Sequence, residues 1–501
     1  MLFSALTRRN GRVNMKRIGL IFVGLVVLVL AIALVRTLTL SGPDTTSSAA
    51  KAPVEIDAEA AANRLGEAIR FETLSTQVAR EEKRAPFVEF RNWAETTYPA
   101  FHAAVTREIV SEYSLFYTWK GSDPSLEPIL LMSHMDVVPI APGTEGDWEE
   151  DPFSGKVADG FIWGRGAIDD KGSLIAILEG AEHLAAQSFQ PRRTIHFFFG
   201  HDEEVGGPSG AQKMAPLLQE RGIRLHWVAD EGGVVADGLV PGVDSPVALV
   251  GVAEKGYVTL DLTASAPGGH SSMPPGATAI GRLSTAIDRL QNTPFSGGIE
   301  GPVADMLDAI APSTPFGLRF ALANRWLTGS LVEANLRGNP TMAAAMATTI
   351  APTLINAGVK ENVLPHSASA KVNFRIHPRD TVESIVAHVT AAIDDENVKV
   401  TVFNPGREAS AVSSTESEGY QILSQTIRDT FEGAVVAPNL VVGGTDARQF
   451  ELVSDNVYRF IPIILGPNDT SRFHGTNERI TVENMGKAVQ FYVRLLERGS
   501  E

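Results

Sequence analysis

The chain contains 501 residues, of which 44% are hydrophobic and 20% are charged, and its formal net charge at pH 7 is −16. This length predicts roughly two to four domains with large cores, and the acidic balance argues against a surface that binds nucleic acid. Cysteine is absent from the sequence, which excludes disulfides and thiolate metal sites, so a metal ion would need His, Asp and Glu ligands.

The N-terminal region combines a basic segment with a long apolar run. Residues 1–17 contain no acid and five basic residues, namely Arg8, Arg9, Arg12, Lys16 and Arg17. Residues 18–35 are uncharged and, at about 1.5 Å per residue, nearly cross a hydrocarbon core of roughly 30 Å. We predict a cytoplasmic segment at 1–17, a transmembrane signal anchor at 18–36 and a polar linker at 37–55.

The positive charge before the apolar run predicts a cytoplasmic N-terminus, with all later domains outside the cytoplasm, in a periplasm, a lumen or the extracellular space. A cleaved signal peptide is the alternative to an anchor. The apolar run is long, however, and no clear cleavage site follows it, so the sequence favours a single-pass membrane protein.

Short apolar runs alternate with helical patterns beyond the linker. The stretches PILLMSHMD (128–136), TIHFFFGHDEE (194–204) and LHWVADEGG (225–233) each place a short strand before a polar turn. This alternation predicts an α/β domain with a mainly parallel sheet, built from residues 56–253 and 406–501. Ligands of such sheets bind beyond the carboxyl ends of the strands, where all three polar clusters lie.

The pattern changes between residues 254 and 405. Strand, helix, strand, strand, helix and strand follow one another in the order of a ferredoxin-like α+β domain, which we predict as an insertion into the first domain. Residues 294–350, between its first helix and second strand, fit no predicted element.

Each polar cluster offers metal ligands. His134 and Asp136 are two apart on an extended segment, so the carboxylate can orient the imidazole. Asp169 follows a glycine-rich turn and could bridge two cations, although an Asp at that place is also a common helix cap. Further carboxylates and a late histidine are offered by Glu203, Glu204, Asp230, Glu231 and His474. Together they predict a dinuclear site with nitrogen and oxygen ligands.

Eight motifs in order resemble one enzyme family. They are SHMDVVP, WGRGAIDDKG, DEEVGG, DEGG, APGGHSS, ENVLP, GGTDARQF and FHGTNERI. The chain from about residue 65 onward is similar to the two-zinc exopeptidases and amidohydrolases that include aminoacylase, carboxypeptidase S and glutamate carboxypeptidase. The anchor and the segment at 294–350 are most similar to the branch of carboxypeptidase S and N-acyl-amino-acid hydrolases.

The resemblance implies two zinc ions, with manganese or cobalt as alternatives. It implies His134 on the first zinc, Asp169 as the bridge, Glu204 and His474 on the second zinc, Asp136 as the group that orients His134, and Glu203 as the catalytic base. The last ligand of the first zinc is Glu231 by likeness to aminoacylase and Asp230 by likeness to other branches.

The resemblance also implies how substrate is bound. His270 would polarise the substrate carbonyl, Asn362 and Arg375 would lie near a substrate carboxylate, and the inserted domain would act as a lid and a dimerisation domain, which allows a homodimer. The expected reaction is hydrolysis of an amide bond next to a free C-terminal amino acid, in a small peptide or an N-acyl amino acid. The alternative is an inactive relative that serves as a binding ectodomain.

Overall fold

The computed structural model describes residues 15–40, 54–76 and 84–501. Its first helix, α1, covers Met15–Thr39 and contains a 21-residue segment, Gly19–Thr39, that is long and apolar enough to cross a membrane. The helix therefore includes the whole predicted anchor at 18–36 and continues for three further residues. Most of the predicted segments at 1–17 and 37–55 lies outside the described residues.

Residues 54–76 and 84–254 form the first part of the large domain. Its helices are α2 (Ala58–Ile69), α3 (Ala85–Thr97), α4 (Pro99–Ala104), α5 (Lys171–Ala186) and α6 (Ala211–Glu220). Its strands are β1 (Thr106–Val110), β2 (Ser114–Trp119), β3 (Ile129–His134), β4 (Val157–Ala158), β5 (Phe161–Trp163), β6 (Ile195–Gly200), β7 (Val228–Asp230), β8 (Val235–Ala236) and β9 (Val247–Glu254).

Residues 256–402 form a smaller unit and a helical segment. The strands are β10 (Gly256–Ser265), β11 (Gly269–His270), β12 (Thr349–Ala357), β13 (Val363–Leu364), β14 (Ser367–Ile376) and β15 (Val398–Val402). The helices are α7 (Ala279–Gln291), α8 (Gly301–Ile310), α9 (Phe316–Ala323), α10 (Arg325–Arg337), α11 (Pro340–Met346) and α12 (Val382–Ile393).

The chain then returns to the large domain. It adds α13 (Glu418–Thr430), β16 (Val435–Val441), β17 (Val457–Arg459), β18 (Ile464–Leu465), β19 (Arg479–Thr481) and α14 (Val482–Gly499). The last helix packs against α2, α5 and α13, so the two ends of the described large domain share one hydrophobic core.

The large sheet has the order β1-β2-β6-β3-β7-β17-β9-β8-β18, with β16 beside β9. Its centre is parallel, since β6, β3, β7 and β17 run the same way, whereas β1, β2, β8 and β9 add antiparallel pairs on both sides. The sheet is thus mixed, and the prediction of a mainly parallel sheet holds only for its centre. The short turn between β1 and β2 allows only antiparallel pairing, since a parallel crossover needs about a dozen residues.

The small sheet is antiparallel throughout and has the order β12-β14-β10-β15. Buried residues of α7 and α12 cover it and form a core of their own. Strands and helices follow one another as predicted for a ferredoxin-like unit. Residues 294–350, which fitted no predicted element, contain α8–α11 and pack mainly on β9 and β16 of the large sheet.

Candidate metal centre

The carboxyl ends of three adjacent parallel strands converge at one edge of the large sheet. In the register of these strands His134, the last residue of β3, lies beside Gly200, the last residue of β6, and β7 ends one strand further along at Asp230. The buried strands are almost wholly apolar until they reach this edge. The polar turns that follow them therefore meet in one place, as expected for an α/β sheet.

Two groups of side chains in the described ranges have ligand atoms within 4.8 Å of one another. His134, Glu203 and Glu231 form one group, and His134, Asp169 and Glu204 form the other. His134 is common to both groups, so the two triads adjoin.

Asp136 contacts both His134 and the loop that carries Glu203, the predicted base. The Nδ1 atom of His134 lies 2.9 Å from the backbone carbonyl of Asp136 and 3.4 Å from its Oδ1 atom. The carboxylate of Asp136 also accepts hydrogen bonds from the backbone N–H groups of Glu203 and Glu204, at 3.2 and 3.1 Å. Because Asp136 is completely buried, it fixes the position of the two glutamates relative to His134.

Asp169 lies between two histidines. Its Oδ1 atom is 3.1 Å from Nε2 of His134, and its Oδ2 atom is 3.0 Å from Nε2 of His474. His474 Nε2 also lies 3.2 Å from Oε2 of Glu204. Asp169 thus presents one carboxylate oxygen to each of two imidazoles.

The loop that carries Asp169 is held by Glu478, four residues after His474. The Oε1 atom of Glu478 accepts hydrogen bonds from the backbone N–H groups of Gly166, Ile168 and Asp169, and its Oε2 atom pairs with Arg165 at 2.6 Å. Both side chains are buried. This pair was not predicted from the sequence.

Asp230 and Glu231 separate at the end of β7. The Oδ2 atom of Asp230 accepts the backbone N–H of Ala447 at 2.8 Å, which ties this carboxylate to the loop before β17. Glu231 instead brings its carboxylate to His134 and Glu203. Of the two neighbouring acids, the geometry places Glu231 in the ligand cluster.

Asp446 is a further buried acid that the sequence analysis did not single out. A Cβ atom on Gly200 would lie 2.8 Å from its Oδ2 atom, and one on Gly207 would lie 2.3 Å from its Oδ1 atom. The loop of Asp446 is held in turn by Glu254, which accepts hydrogen bonds from the N–H and the hydroxyl of Thr445. A side chain at Gly200 or Gly207 would therefore displace the carboxylate of Asp446.

Carboxylates dominate the electrostatics of this edge. Burial, together with the neighbouring acids, raises the pKa of Glu203, Glu231 and Asp446 well above the usual range. Hydrogen bonds with Asp169 and Glu204 raise the pKa of His474 to about 10. Burial acts to raise the pKa of Asp169 too, but hydrogen bonds from His134 and His474 lower it below its usual range. The cluster has a deficit of positive charge that bound cations would relieve.

Comparison with known proteins identifies the family. The model of peptidase family M20/M25/M40 matches residues 130–498. The N-fatty-acyl-amino acid synthase/hydrolase of Xenopus tropicalis is 40% identical over 482 residues, covering 95% of this chain and 93% of the relative. The chain belongs to peptidase family M20/M25/M40.

Other M20 relatives agree with this assignment. Carboxypeptidase S of Saccharomyces cerevisiae is 31% identical over 453 residues, covering 81% of this chain and 77% of the relative. The crystal structure of an M20 metallo-carboxypeptidase from Sulfolobus solfataricus has a TM-score of 0.61 at 18% identity, covering 89% of this chain and all of that one. The protein is thus a metallopeptidase or amidohydrolase with the M20 α/β fold.

An M20 peptidase of Bacillus subtilis is described as a dinuclear metal-binding peptidase, and the residues at the sheet edge of this chain fit a pair of metal ions. Imidazole nitrogens and carboxylate oxygens are suitable ligands for divalent ions such as zinc and manganese. The Oε1 atom of Glu204 is buried and has no hydrogen-bond partner among the described residues, as expected of an oxygen reserved for a cation. The ligand set accordingly supports a dinuclear centre.

Of the three predicted substrate residues, His270 and Asn362 lie at the two-stranded ladder of β11 and β13, beyond the Ser265–Ser367 end of the small sheet, and Arg375 lies near the other end of that sheet. His270 is exposed, hydrogen-bonds with Ser272 at 2.8 Å and pairs with Val363, next to Asn362. Arg375 is near the other end of β14, eight residues from Ser367, which corresponds to about 26 Å along a strand. Within the described chain, His270 and Asn362 thus come together, but Arg375 is far from both.

Arg407 is a basic residue near the metal-binding edge that the sequence analysis missed. Its Nη1 atom would lie 3.5 Å from a Cβ on Gly206, two residues after Glu204. Burial and the positive charge of Arg407 act together to lower the pKa of Arg375, whose guanidinium lies 5.1 Å from the ring centre of Tyr257. Neither guanidinium forms an ion pair with an acid of the described residues, so both are free to bind an anion.

Proposed function

We propose that this M20 enzyme hydrolyses the amide bond between an acyl group and a C-terminal amino acid whose carboxylate is free. The observation that carries the proposal is the pair of arginines, Arg375 and Arg407, which both neighbour Tyr257, with Arg407 beside the turn that follows Glu204. An Arg guanidinium grips a carboxylate through two parallel hydrogen bonds. The two residues would therefore anchor the free carboxylate next to the metal centre.

The proposed centre holds two zinc ions, with manganese or cobalt as alternatives. His134, Asp169 and Glu231 would hold one ion, and Asp169, Glu204 and His474 would hold the other. Bound metals of this kind supply an acidified water and polarise the substrate carbonyl. Asp136 contributes by orienting His134 and by fixing the backbone of the DEE turn.

Glu203 is the proposed base. Its carboxylate takes a proton from the attacking water and later returns that proton to the nitrogen of the leaving amino acid. Burial among other acids raises the pKa of Glu203, which suits a group that must both accept and donate a proton. His270 is the proposed donor to the carbonyl oxygen as negative charge develops there.

We further propose that the enzyme acts as a homodimer, because one subunit holds its site residues apart. His270 and Asn362 lie beyond the end of the small sheet where Ser265 pairs with Ser367, and Arg375 is about 26 Å from Ser367 along β14, so one small substrate cannot contact all three within one chain. The edge strand β12 exposes Leu354 and Ile355, and pairing of its edge with a second copy would extend the sheet. The small unit would then serve as the lid of the neighbouring subunit.

The proposed location combines an anchor and an external enzyme. α1 would cross the membrane with the basic N-terminus in the cytoplasm, and the M20 domain would lie outside it. The preferred substrates are N-acyl amino acids with an apolar acyl group. This preference is supported by the similarity to the Xenopus relative, an N-fatty-acyl-amino acid synthase/hydrolase.

The test is hydrolysis by the purified full chain, loaded with zinc, manganese or cobalt, of N-acyl amino acids, dipeptides and longer peptides. For one N-acyl amino acid, the free acid and its amide are compared. We expect kcat/KM to be lower for the amide than for the free acid, by a factor that corresponds to about 2–5 kcal/mol of transition-state stabilisation. This is the scale for leaving a buried charged group without its partner. Arg375→Lys and Arg407→Lys should reduce that difference, whereas Arg224→Lys, which alters an exposed pair with Asp455, should not. Equal rates for acid and amide would refute the carboxylate proposal.

The dimer is tested by complementation between two inactive chains. Glu203→Gln and His270→Ala should each be inactive alone, but chains expressed together should recover about a quarter of wild-type activity, since half of the random dimers would contain one intact site. Absence of recovery in a confirmed mixed dimer would contradict donation of His270 by a second subunit.

A further inference from the structure

The helical segment α8–α11 has no part in the proposed chemistry. Its buried residues, including Val303, Leu307 and Leu322, form a separate core with β9 and β16 of the large sheet. Leu40, just beyond the end of α1, packs against the same core. The end of the N-terminal helix is thus attached to the enzyme body through this segment.

The contact between α1 and this segment is specific. The Nδ2 atom of the buried Asn324, between α9 and α10, donates to the carbonyl of Ala33 and contacts the hydroxyl of Thr37, both at 3.1 Å. The Nε atom of Arg36 donates to the carbonyl of Ala323. Ala33 and Thr37 are buried, whereas nearly all of Gly19–Ile32 is exposed. The apolar helix therefore leaves the protein body at Ala33, directly beside α9 and α10.

Large apolar side chains are exposed on these same two helices. Phe316 begins α9, and Trp326, Leu327 and Leu331 lie along the first turns of α10. Trp326 is 55% exposed and Leu331 is 71% exposed. Exposed apolar residues that adjoin one another mark a surface that contacts a membrane or another apolar partner.

The charge of this region also differs from that of the whole chain. Residues 316–337 contain three arginines, at 319, 325 and 337, and a single acid, Glu333, in a chain with a net charge of −16. Arg325 pairs with Asp308 of α8 and Arg337 pairs with Glu333, so the positive charge that is left on these helices is that of Arg319. Tryptophan and leucine on a helix that also carries arginines are typical of segments that lie in the membrane interface and attract anionic lipids.

We propose that α9 and α10 form a membrane foot, defined by Phe316, Trp326, Leu327 and Leu331, which inserts into the boundary between lipid headgroups and acyl chains. The inference rests on the proposed insertion of α1 into a bilayer. Since α1 leaves the protein body beside Asn324, a bilayer around Gly19–Ile32 brings its surface to the foot. The enzyme would then contact the membrane twice, through α1 across the bilayer and through the foot along its surface. These two contacts would fix the orientation of the enzyme.

The foot is connected to the side of the enzyme where Arg375 lies. At the far end of the helical segment, the Nζ atom of the buried Lys255 donates to the carbonyls of Ala344 and Ala347. Lys255 directly precedes β10, in which Tyr257 pairs with Arg375. The helical segment therefore joins the foot to the part of the small unit that carries Arg375.

The absence of cysteine allows a direct test by labelling single introduced cysteines with a polarity-sensitive fluorophore. The full chain would carry Leu331→Cys or Trp326→Cys and be reconstituted in vesicles of phosphatidylcholine and phosphatidylglycerol, with or without a shallow spin-labelled lipid as quencher. Val27→Cys, in the exposed part of α1, shows whether the anchor lies in lipid. Val359→Cys, at a site in the small unit that is 95% exposed, gives the emission of a probe in water.

We expect blue-shifted, lipid-quenched emission at positions 331 and 326, and unshifted, unquenched emission at position 359. If the probes at 331 and 326 behave like the one at 359 while the probe at 27 is in lipid, the foot is refuted and the anchor stands. If the probe at 27 is also in water, both the anchor and the foot are wrong. Retained metal content and thermal unfolding temperature in each labelled protein show that the fold is intact.

Discussion

The large sheet contains two buried histidines on neighbouring strands with opposite environments. His134 ends β3 among carboxylates, where burial alone would lower its pKa but hydrogen bonds with Asp136 and Asp169 raise it well above the usual value. His196, next to Leu130 in the sheet interior, contacts Thr118 and stacks on Phe116, and burial lowers its pKa to about 4. Burial therefore does not by itself mark a metal ligand; the charge around the imidazole does.

The largest expected effect follows from removing the base at the charged edge. Glu203→Gln keeps the shape of the side chain but cannot take a proton from water, so kcat should fall by roughly 10²- to 10⁴-fold with both metals still bound. Metal analysis and kinetics on one sample test this, with the exposed Glu89→Gln as control. Because Glu203 also lies within reach of His134 and Glu231, loss of a metal from the variant would show that Glu203 is a ligand.

The next effect concerns the residue shared by the two proposed ions. Asp169→Ala should remove both metals together, because its two oxygens face different histidines, whereas His474→Ala should weaken only one. Titration with a chelator, followed by metal analysis, separates the two results. One metal held by Asp169→Ala as tightly as in the wild type would count against the bridge.

Asp230 and Glu231, the neighbouring acids at the end of β7, can be compared by their effects on metal affinity. Glu231→Gln should lower the affinity for the first metal by more than about 100-fold. A factor of about 100 is the upper range for loss of groups that lie outside the ligand shell. Asp230→Asn should change metal affinity by less than about tenfold, since the amide oxygen can still accept the N–H of Ala447. The reverse order of effects would assign the ligand to Asp230.

Much of the candidate metal centre at the edge of the large sheet could be predicted from the sequence, because the motifs that indicate it are local. His134, Glu204 and Glu231 stand at or just after the ends of apolar runs, and carboxyl ends of parallel strands meet at one edge. The choice between Asp230 and Glu231 depended on Ala447, 217 residues away along the chain from Asp230. Arg165 and Glu478 are 313 residues apart, and no local pattern indicates such a pair.

Other parts of the fold were predictable only in outline. Strand and helix order was sufficient to predict the ferredoxin-like unit, but not that His270 and Arg375 lie at its opposite ends. Helical periodicity does not specify a packing partner, so the position of α8–α11 on β9 and β16 needed the structure. The antiparallel strands of the large sheet were missed because a short apolar run predicts a strand without predicting its direction.

The smallest expected effect concerns the uncharged interior, where His196 should make the fold sensitive to acid. As pH falls below about 6.5, His196 takes up a proton in the unfolded chain, while the buried ring stays neutral until about pH 4. The unfolded state then binds more protons, so the free energy of unfolding decreases through this range, by at most about 3 kcal/mol. His196→Asn removes the titrating group and leaves a polar partner for Thr118. Urea unfolding of metal-free protein at pH 7 and pH 4.5 should therefore show a smaller loss of stability in His196→Asn than in the wild type, while the exposed His366→Asn should match the wild type. Equal losses in all three proteins would show that His196 accepts a proton in the folded state, and the contrast with His134 would disappear.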